Sequence, residues 1–203
     1  EVSLVAAEDT RRTRKLFDAY AIRTPLVSLY EHNEFKKSGI LIHRLREGQD
    51  VAYVSDAGTP GISDPGFVLI RMALGHGIRV IPVPGVSAGI AALSVSGLPM
   101  DSFVFLGFLP AKAGKRRDLL LSLKDEGKTL VIYEAPHRLV AALEDMHSVL
   151  GNREMVVARE LTKLHEEFLR GSLQELLPAL RDRRIKGEIT LIVAGRAPEA
   201  REW

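Results

Sequence analysis

The chain has 203 residues, of which 46% are hydrophobic, and its 28 basic and 26 acidic residues give a net charge of +2. It contains no cysteine, which excludes disulfides and thiolate catalysis, and no apolar run approaches the roughly 20 residues that a membrane helix needs. We therefore expect one or two hydrophobic cores, no contact with a membrane and a cytoplasmic location.

Apolar segments rich in β-branched residues alternate with helix-like segments along the chain. We predict strands at 2–7, 25–30, 50–55, 79–83, 103–108, 129–133, 154–158 and 188–193. We predict helices at 9–20, 34–47, 65–75, 87–96, 115–126, 136–150 and 172–184. This alternation favours an α/β fold with a largely parallel sheet in at least the first half. The Gly- and Pro-containing turn after residue 107 predicts a division into two domains, 1–108 and 109–203.

The segment 51–66 is the most informative part of the sequence. A short strand runs into a loop with two Asp, three Gly and two Pro within eleven residues. Prolines fix φ and glycines permit positive φ, so that backbone N–H groups of such a loop can face a ligand. One end has a simpler explanation as a helix start, with Asp64 as the cap and Pro65 in the first helical position. Residues 56–60 are not explained in that way, so we predict a ligand site beyond the end of this strand.

A second loop follows the strand predicted at 79–83. Its residues 85–89, Gly-Val-Ser-Ala-Gly, fit the G-x-S-x-G nucleophile elbow, which makes a serine hydrolase an alternative function. Against it, Pro82 and Pro84 would interrupt the preceding strand, and no H-G-G-G-like segment lies upstream. Ser87 as the N-cap of a helix packed close to the sheet is the better explanation.

Two later loops also follow predicted strands and carry charged side chains. These are Glu134, His137 and Arg138 in one loop and Arg159, Glu160 and Lys163 in the other. Taken singly, such groups are explained by a helix dipole or by surface ion pairs. Because all four loops follow strands, one cleft would collect them, and their charged groups are then candidates for acid–base chemistry. No Walker A motif, Rossmann motif or H-x-x-x-H pair is present, and we predict no metal site.

Basic residues are clustered despite the small net charge. The clusters are Arg11, Arg12, Arg14 and Lys15; Lys112, Lys115, Arg116 and Arg117; and Arg181, Arg183, Arg184 and Lys186. Such clusters neutralise the phosphates of RNA or DNA in some proteins and lie on solvated helix faces in more of them. Charge alone leaves both interpretations open.

Seven segments, taken in order, resemble the ribosomal RNA small subunit methyltransferase I family. They are Ala7-Glu-Asp-Thr-Arg11, Ser55-Asp-Ala-Gly-Thr-Pro60, Pro84-Gly-Val-Ser-Ala88, Gly107-Phe-Leu-Pro-Ala-Lys112, Tyr133-Glu-Ala-Pro-His-Arg138, Ala158-Arg-Glu-Leu-Thr-Lys163 and Lys186-Gly-Glu-Ile189. The resemblance implies a two-domain tetrapyrrole methylase-like fold, with a mostly parallel sheet in the first domain and a mixed sheet in the second. It further implies a homodimer that uses S-adenosylmethionine to methylate the ribose 2′-hydroxyl of a cytidine in small-subunit rRNA, alone or in the small ribosomal subunit. A non-catalytic nucleotide-binding module is a second alternative.

The resemblance also implies roles for particular residues. Cofactor contacts, in a cleft between the domains, fall on Asp56, Gly58, Thr59, Ser87, Ala88, Tyr133, Ala158 and Ile189. Among the charged groups of the inferred cleft, we predict that Glu160 and Lys163 act on the hydroxyl and that Arg11, Arg138 and Arg159 contact phosphates. Family members have a further N-terminal strand and a helical tail that are not recognised in this sequence, so we expect a trimmed chain with impaired activity.

Overall fold

The computed structural model describes residues 2–197, and the chain falls into two compact units, residues 1–87 and 88–203. The predicted division after residue 108 stays a prediction. The strand that ends there belongs to the second unit and pairs with the strand at 129–134 of the same unit. No helix within residues 2–197 combines the length and apolar character needed to span a bilayer.

The first unit is a small parallel sheet with helices. Its elements are β1 (Leu4–Ala7), α1 (Thr10–Ala19), β2 (Leu26–Ser28), α2 (Glu34–Arg46), β3 (Val51–Val54) and α3 (Phe67–Gly75). The strand order is β2-β1-β3 and both pairs are parallel, as the alternation of elements predicts. Leu4 and Ala6 of β1 pack with Leu41 of α2 and Leu69 of α3 in one buried cluster.

The strand predicted at 79–83 is wrong, because residues 78–87 have no regular secondary structure. Pro82 and Pro84 lack the N–H group that a ladder requires. The side chains that suggested a strand are also not buried, since Ile81 and Val83 are 62% and 85% exposed. The apolar run therefore indicated a strand that this backbone does not form.

The second unit is a mixed sheet with helices. Its elements are α4 (Ala88–Ser94), β4 (Phe103–Phe108), α5 (Ala113–Ser122), β5 (Thr129–Glu134), a 3₁₀ turn (Pro136–Arg138), α6 (Leu139–Leu150), β6 (Glu154–Arg159), β7 (Glu167–Ser172), α7 (Leu173–Arg181) and β8 (Ile189–Val193). The order is β4-β5-β8-β6-β7, with β4 and β5 parallel and the other pairs antiparallel. The mixed character agrees with the expectation for this part of the chain.

The two faces of this sheet are covered differently. One face carries Leu130, Val157 and Leu191, which pack into the large core beneath α5, α6 and α7. The other face carries Val131, Val156 and Ile192, which pack with Ala92 and Leu93 of α4. Because side chains alternate along a strand, this division fixes the face on which each residue at the strand ends lies.

Candidate active site

The carboxyl ends of β1 and β3 are tied together by acidic side chains. Oδ1 of Asp56 accepts the N–H of Asp9 at 3.1 Å, and the N–H of Asp56 donates to Oε2 of Glu8 at 3.1 Å. Oδ2 of Asp56 lies 3.4 Å from Nε of Arg12. The start of the loop at 55–66 is thereby fixed to the turn that leads into α1.

The exposed arginine of this turn is held by the helix cap. The carboxylate of Asp9 accepts the N–H of Arg11 at 2.9 Å and caps α1. It also binds the Arg11 guanidinium through Nε and Nη2, at 3.0 and 2.7 Å, which holds the pKa of Asp9 well below its ordinary value. The Arg11 side chain is 88% exposed, so most of its surface remains open to an anionic ligand.

The loop at 55–66 has an unusual backbone. Gly58 has φ +65, and the N–H groups of Ala57, Gly58 and Thr59 make no hydrogen bond within residues 2–197. The Thr59 hydroxyl donates to the carbonyl of Val86 at 2.9 Å, which links this loop to residues 84–87. Three adjacent backbone donors at a strand end are the arrangement that the composition of the loop predicts.

The far end of this loop differs from the predicted helix start. Helix α3 begins at Phe67, and Oε1 of the buried Glu34 accepts the N–H groups of Gly66 and Val68 at 2.7 and 2.9 Å. Gly66 has φ +133, and a Cβ there would lie 2.7 Å from the Tyr53 ring, so only glycine fits. A carboxylate from α2, and not Asp64 with Pro65, therefore supplies the acceptor at the start of α3.

In the second unit, the ends of three strands bring the predicted cofactor residues close in register. Thr190 of β8 pairs with both Tyr133 and Ala158, and Ile189 pairs with Glu134 and Arg159. Alternation places Tyr133 and Ala158 on the face covered by α4, whereas the Ile189 side chain is 3% exposed in the core on the other face. Ile189 can therefore offer a ligand only its backbone groups.

Helix α4 packs very closely on this sheet. The N–H of Gly89 donates to the Tyr133 hydroxyl at 3.1 Å, and a Cβ on Gly89 would lie 2.9 Å from Cγ1 of Val131. Ser87 directly precedes α4, as the N-cap interpretation requires. The strand–turn–helix context of a nucleophile elbow is missing, since residues 78–87 form no strand, and the hydrolase alternative is not favoured.

Glu160 and Lys163, the predicted catalytic pair, form an ion pair. Nζ of Lys163 lies 2.9 Å from Oε1 of Glu160 and 3.1 Å from Oε2 of Glu188. The hydrogen bond from Lys163 lowers the pKa of Glu160, and the same bond raises the pKa of Lys163. The pair is thus a carboxylate and an ammonium at neutral pH.

The backbone around this pair is strained in a way that sets its position. Glu160 and Thr162 have φ +50 and +66, which non-glycine residues seldom adopt. The Glu160 N–H donates to the Glu188 carbonyl at 2.9 Å, and Oε1 of Glu160 accepts the Glu188 N–H at 2.9 Å. A Cβ on Gly187 would collide with the Glu160 carboxyl group, so the glycine makes room for it.

Arg138 and Arg159, two of the predicted phosphate contacts, are engaged within the second unit. Arg138 lies 3.1 Å from the buried Glu134 and donates to the carbonyl of Leu109. Arg159 lies 3.1 Å from Glu167 and donates to the carbonyl of Lys186 at 3.2 Å. Their side chains are only 22% and 21% exposed. To bind a phosphate, either would have to share or exchange these partners.

Several residues of these networks were not predicted from the sequence. Glu8 and Glu34 accept backbone N–H groups of the loop at 55–66, Glu188 donates its N–H to Glu160, and Gly187 leaves space for the Glu160 side chain. Glu8, Gly187 and Glu188 lie in motifs that the sequence already suggested, and Glu34 does not. No group of three His, Asp or Glu side chains suited to a metal ion occurs among residues 2–197.

The chain is similar to known proteins over nearly all of its length. Residues 1–177 match the family model described as Tetrapyrrole (Corrin/Porphyrin) Methylases. The ribosomal RNA small subunit methyltransferase I of Pseudomonas aeruginosa is 53% identical over 206 residues, covering 100% of this chain and 73% of that protein. The protein of the same name from Thermotoga maritima is 46% identical over 196 residues, covering 97% of this chain and 88% of that protein.

Solved structures share the fold at low sequence identity. The methyltransferase CobJ superposes with a TM-score of 0.68 at 17% identity, covering 97% of this chain and 84% of that chain. Uroporphyrin-III-C-methyltransferase from Thermus thermophilus superposes with a TM-score of 0.64 at 20% identity, covering 94% of this chain and 82% of that chain. Together with the parallel and mixed sheets, these matches confirm the predicted tetrapyrrole methylase-like α/β fold.

Proposed function

Because the chain belongs to the ribosomal RNA small subunit methyltransferase I family of tetrapyrrole methylases, we propose that it methylates the ribose 2′-hydroxyl of a cytidine in small-subunit rRNA. The observation that carries the proposal is 46–53% identity, over at least 97% of the chain, to relatives named for rRNA methylation. The substrate is the rRNA or the small ribosomal subunit, and we propose that the enzyme acts as a cytoplasmic homodimer.

The methyl donor of this proposal is S-adenosylmethionine, and the residues present fit it. The open N–H groups of residues 57–59 suit the polar groups of an adenosyl or methionyl moiety, and the positive φ of Gly58 allows a ligand to approach the backbone. Proposed contacts in the first unit are Asp56, Gly58, Thr59 and Ser87. Those in the second unit are Ala88, Tyr133, Ala158 and the backbone of Ile189.

Methyl transfer to a hydroxyl needs alignment and removal of one proton. The cofactor supplies an activated methyl carbon, so covalent help from the protein is not required. Transfer of a methyl group to the ribose oxygen would make the hydroxyl proton more acidic. The protein must hold the hydroxyl in line and give its proton an acceptor.

We assign this work to Glu160 and Lys163. Oε1 of Glu160 already accepts hydrogen bonds from Lys163 and from the Glu188 N–H, whereas Oε2 accepts none within residues 2–197. Oε2 is therefore the acceptor for the ribose hydroxyl. The lowered pKa of Glu160 makes it a weak base, so it orients the hydroxyl first and takes its proton late. The Lys163 ammonium fixes Oε1 of Glu160 and keeps the carboxylate ionised, so that Oε2 is available to take the proton.

The three arginines proposed to contact phosphate differ in their exposure and in the partners they already have. Arg11 is the most exposed of the three, and its guanidinium is held in place by Asp9. Arg138 and Arg159 are tied to Glu134 and Glu167, and they contact phosphate only by sharing these partners. We expect Arg11 to contribute more to the salt dependence of RNA binding than either of them.

The decisive experiment uses the full-length natural protein, purified small ribosomal subunits and tritiated S-adenosylmethionine. A 2′-O-methyl group makes the adjoining phosphodiester resistant to alkali, so the label should appear in an alkali-stable dinucleotide with cytidine on its 5′ side. Label in alkali-released mononucleotides would show base methylation and refute the ribose assignment. No incorporation into subunits or bare rRNA, with S-adenosylhomocysteine bound, would leave a nucleotide-binding module as the better description.

A further inference from the structure

The basic cluster at 112–117 is divided by the fold into a buried and an exposed part. Arg116 is 5% exposed and binds Asp145 through Nε and Nη2, at 2.7 and 2.6 Å. Lys112 and Lys115 are exposed and have no ion pair within residues 2–197, while Arg117 touches Asp145 yet keeps a side chain that is 60% exposed. One arginine is thus structural, and three cations face solvent.

An irregularity in β4 turns an aromatic ring to the face that holds Phe105. In the pairing with β5, Phe105 lies opposite Val131, Gly107 opposite Ile132 and Phe108 opposite Tyr133. The one-residue shift occurs at Gly107, which has φ +61. In a regular strand Phe108 would point to the opposite face, into the main core with Leu106. The bulge brings it onto the Phe105 face at the end of the strand.

Phe108 is supported by neighbouring rings and remains accessible. The ring of Tyr133 meets Phe105 edge-on at 5.2 Å and Phe108 at 5.8 Å between centroids. Phe108 is 54% exposed. A large ring that is fixed from one side and open on the other suits stacking of a flat heteroaromatic group.

The segment between this ring and the cations is held by two arginines. Arg138, anchored on Glu134, donates to the carbonyl of Leu109. Arg116, anchored on Asp145, lies 3.5 and 3.4 Å from the carbonyls of Pro110 and Ala111. Phe108 and the start of α5 are therefore fixed relative to each other before a ligand binds, which lowers the entropy cost of binding.

We propose that Phe108 and the exposed cations Lys112, Lys115 and Arg117 form a binding site for single-stranded RNA. One base stacks on the Phe108 ring, and the adjacent phosphates contact the three cations. The acidic side chains Asp118 and Asp145 leave this segment net positive. A ring beside cations matches a nucleotide, which has both a base and a phosphate, whereas S-adenosylmethionine has a base and no phosphate. This inference rests on the proposed function and adds to it a substrate site that the motifs did not assign.

The test measures RNA and cofactor binding separately in the full-length natural protein. The RNA probe is a fluorescein-labelled single strand of about 12 nucleotides, and the cofactor probe is S-adenosylhomocysteine. Phe108→Leu keeps an apolar side chain but removes the ring. Phe103→Leu is its matched control, since Phe103 is also exposed, lies on the same strand and makes no ring contact within residues 2–197.

We expect Phe108→Leu to raise the dissociation constant for RNA about ten-fold, and Phe103→Leu to change it less than about two-fold. Lys112→Gln and Lys115→Gln should each lower the slope of log affinity against log salt by about 0.7. Affinity for S-adenosylhomocysteine and the melting temperature should stay at wild-type values in all four variants.

Three results would overturn the inference. If Phe108→Leu binds RNA as tightly as Phe103→Leu, the ring does not stack on a base. If it weakens S-adenosylhomocysteine instead of RNA, the ring serves the cofactor. Unchanged salt slopes in both lysine variants would remove the phosphate contacts. These outcomes are distinct from failure of the proposed function, in which the wild-type protein itself would not methylate small subunits.

Discussion

The Lys163 ammonium and the Glu188 N–H donate hydrogen bonds to the same oxygen, Oε1 of Glu160, each at 2.9 Å. The carboxylate is therefore fixed through one oxygen, and the other oxygen is left for a ligand. A side chain held in this way needs little reorganisation to orient the ribose hydroxyl.

Glu160→Gln should lower the turnover number for methylation of small subunits about 10²–10⁴-fold, because the amide keeps the shape and removes the proton acceptor. S-adenosylhomocysteine affinity should change little. The measurement is single-turnover transfer of tritiated methyl groups. Glu144→Gln is the control, since it breaks the Arg181–Glu144 ion pair of 2.7 Å elsewhere on the surface. Equal rates in the two variants would remove Glu160 from the mechanism.

Gly187→Ala should lower both stability and activity, whereas Gly151→Ala should lower stability alone. Both glycines have positive φ, +92 and +80, so each alanine costs about 1–2 kcal/mol of unfolding free energy. Only at Gly187 does the new Cβ collide with the Glu160 carboxyl group; around Gly151 nothing lies within 4 Å. Urea unfolding and methyl transfer are measured on both variants. Full activity in Gly187→Ala would show that Glu160 needs no fixed position.

Two alanine substitutions in helices should have opposite signs. At Gly89, the Cβ would lie 2.9 Å from Val131, and we expect a loss of about 1–3 kcal/mol from overpacking. At Gly39, an exposed position of helix α2, nothing lies within 4 Å, and alanine should gain about 0.5–1 kcal/mol. Denaturant unfolding compares the two. A stabilised Gly89→Ala variant would show that α4 does not rest on the sheet as closely as described.

The ion pair should lower the pKa of Glu160 below its ordinary value of 4.5, because the Lys163 hydrogen bond favours the carboxylate. A carboxylate whose pKa is lowered on folding stabilises the folded state. This stabilisation is fully present above pH 4.5 and is lost as the pH falls through the folded-state pKa. In Lys163→Met the midpoint should move up towards 4.5. Carbon NMR of labelled Glu side chains measures it, with Glu160→Gln identifying the resonance. An unchanged midpoint would mean that Lys163 does not hold the proton off Glu160.

Much of the fold follows from local patterns. The strand Phe103–Phe108 is predicted to the residue, because its apolar run is bounded by Asp101-Ser102 on one side and Leu109-Pro110 on the other. Strand β7 is not predicted, since Glu167-Phe-Leu-Arg-Gly-Ser172 lacks a clear alternation and lies at the sheet edge. Its formation depends on pairing with β6. A strand that forms mainly by pairing with another strand is therefore hard to predict from a single sequence.

The candidate site shows the same limit. The sequence identifies loops at strand ends, and the structure brings Tyr133 and Ala158 to opposite sides of one residue, Thr190. The sequence does not indicate that Arg116 is buried while its neighbours in the same basic run are exposed. That difference arises from Asp145, which is 29 residues away along the chain. Long-range partners of this kind decide which charges are available to a ligand.

The acceptor for α3 has a consequence for how the loop at 55–66 is assembled. The residue that receives the N–H of Gly66 lies 32 positions earlier, on α2. A chain is synthesised from its N-terminus, so Glu34 leaves the ribosome before the loop does. The order of synthesis thus presents the acceptor first, and the glycine- and proline-rich segment that follows meets a carboxylate that is already outside the ribosome.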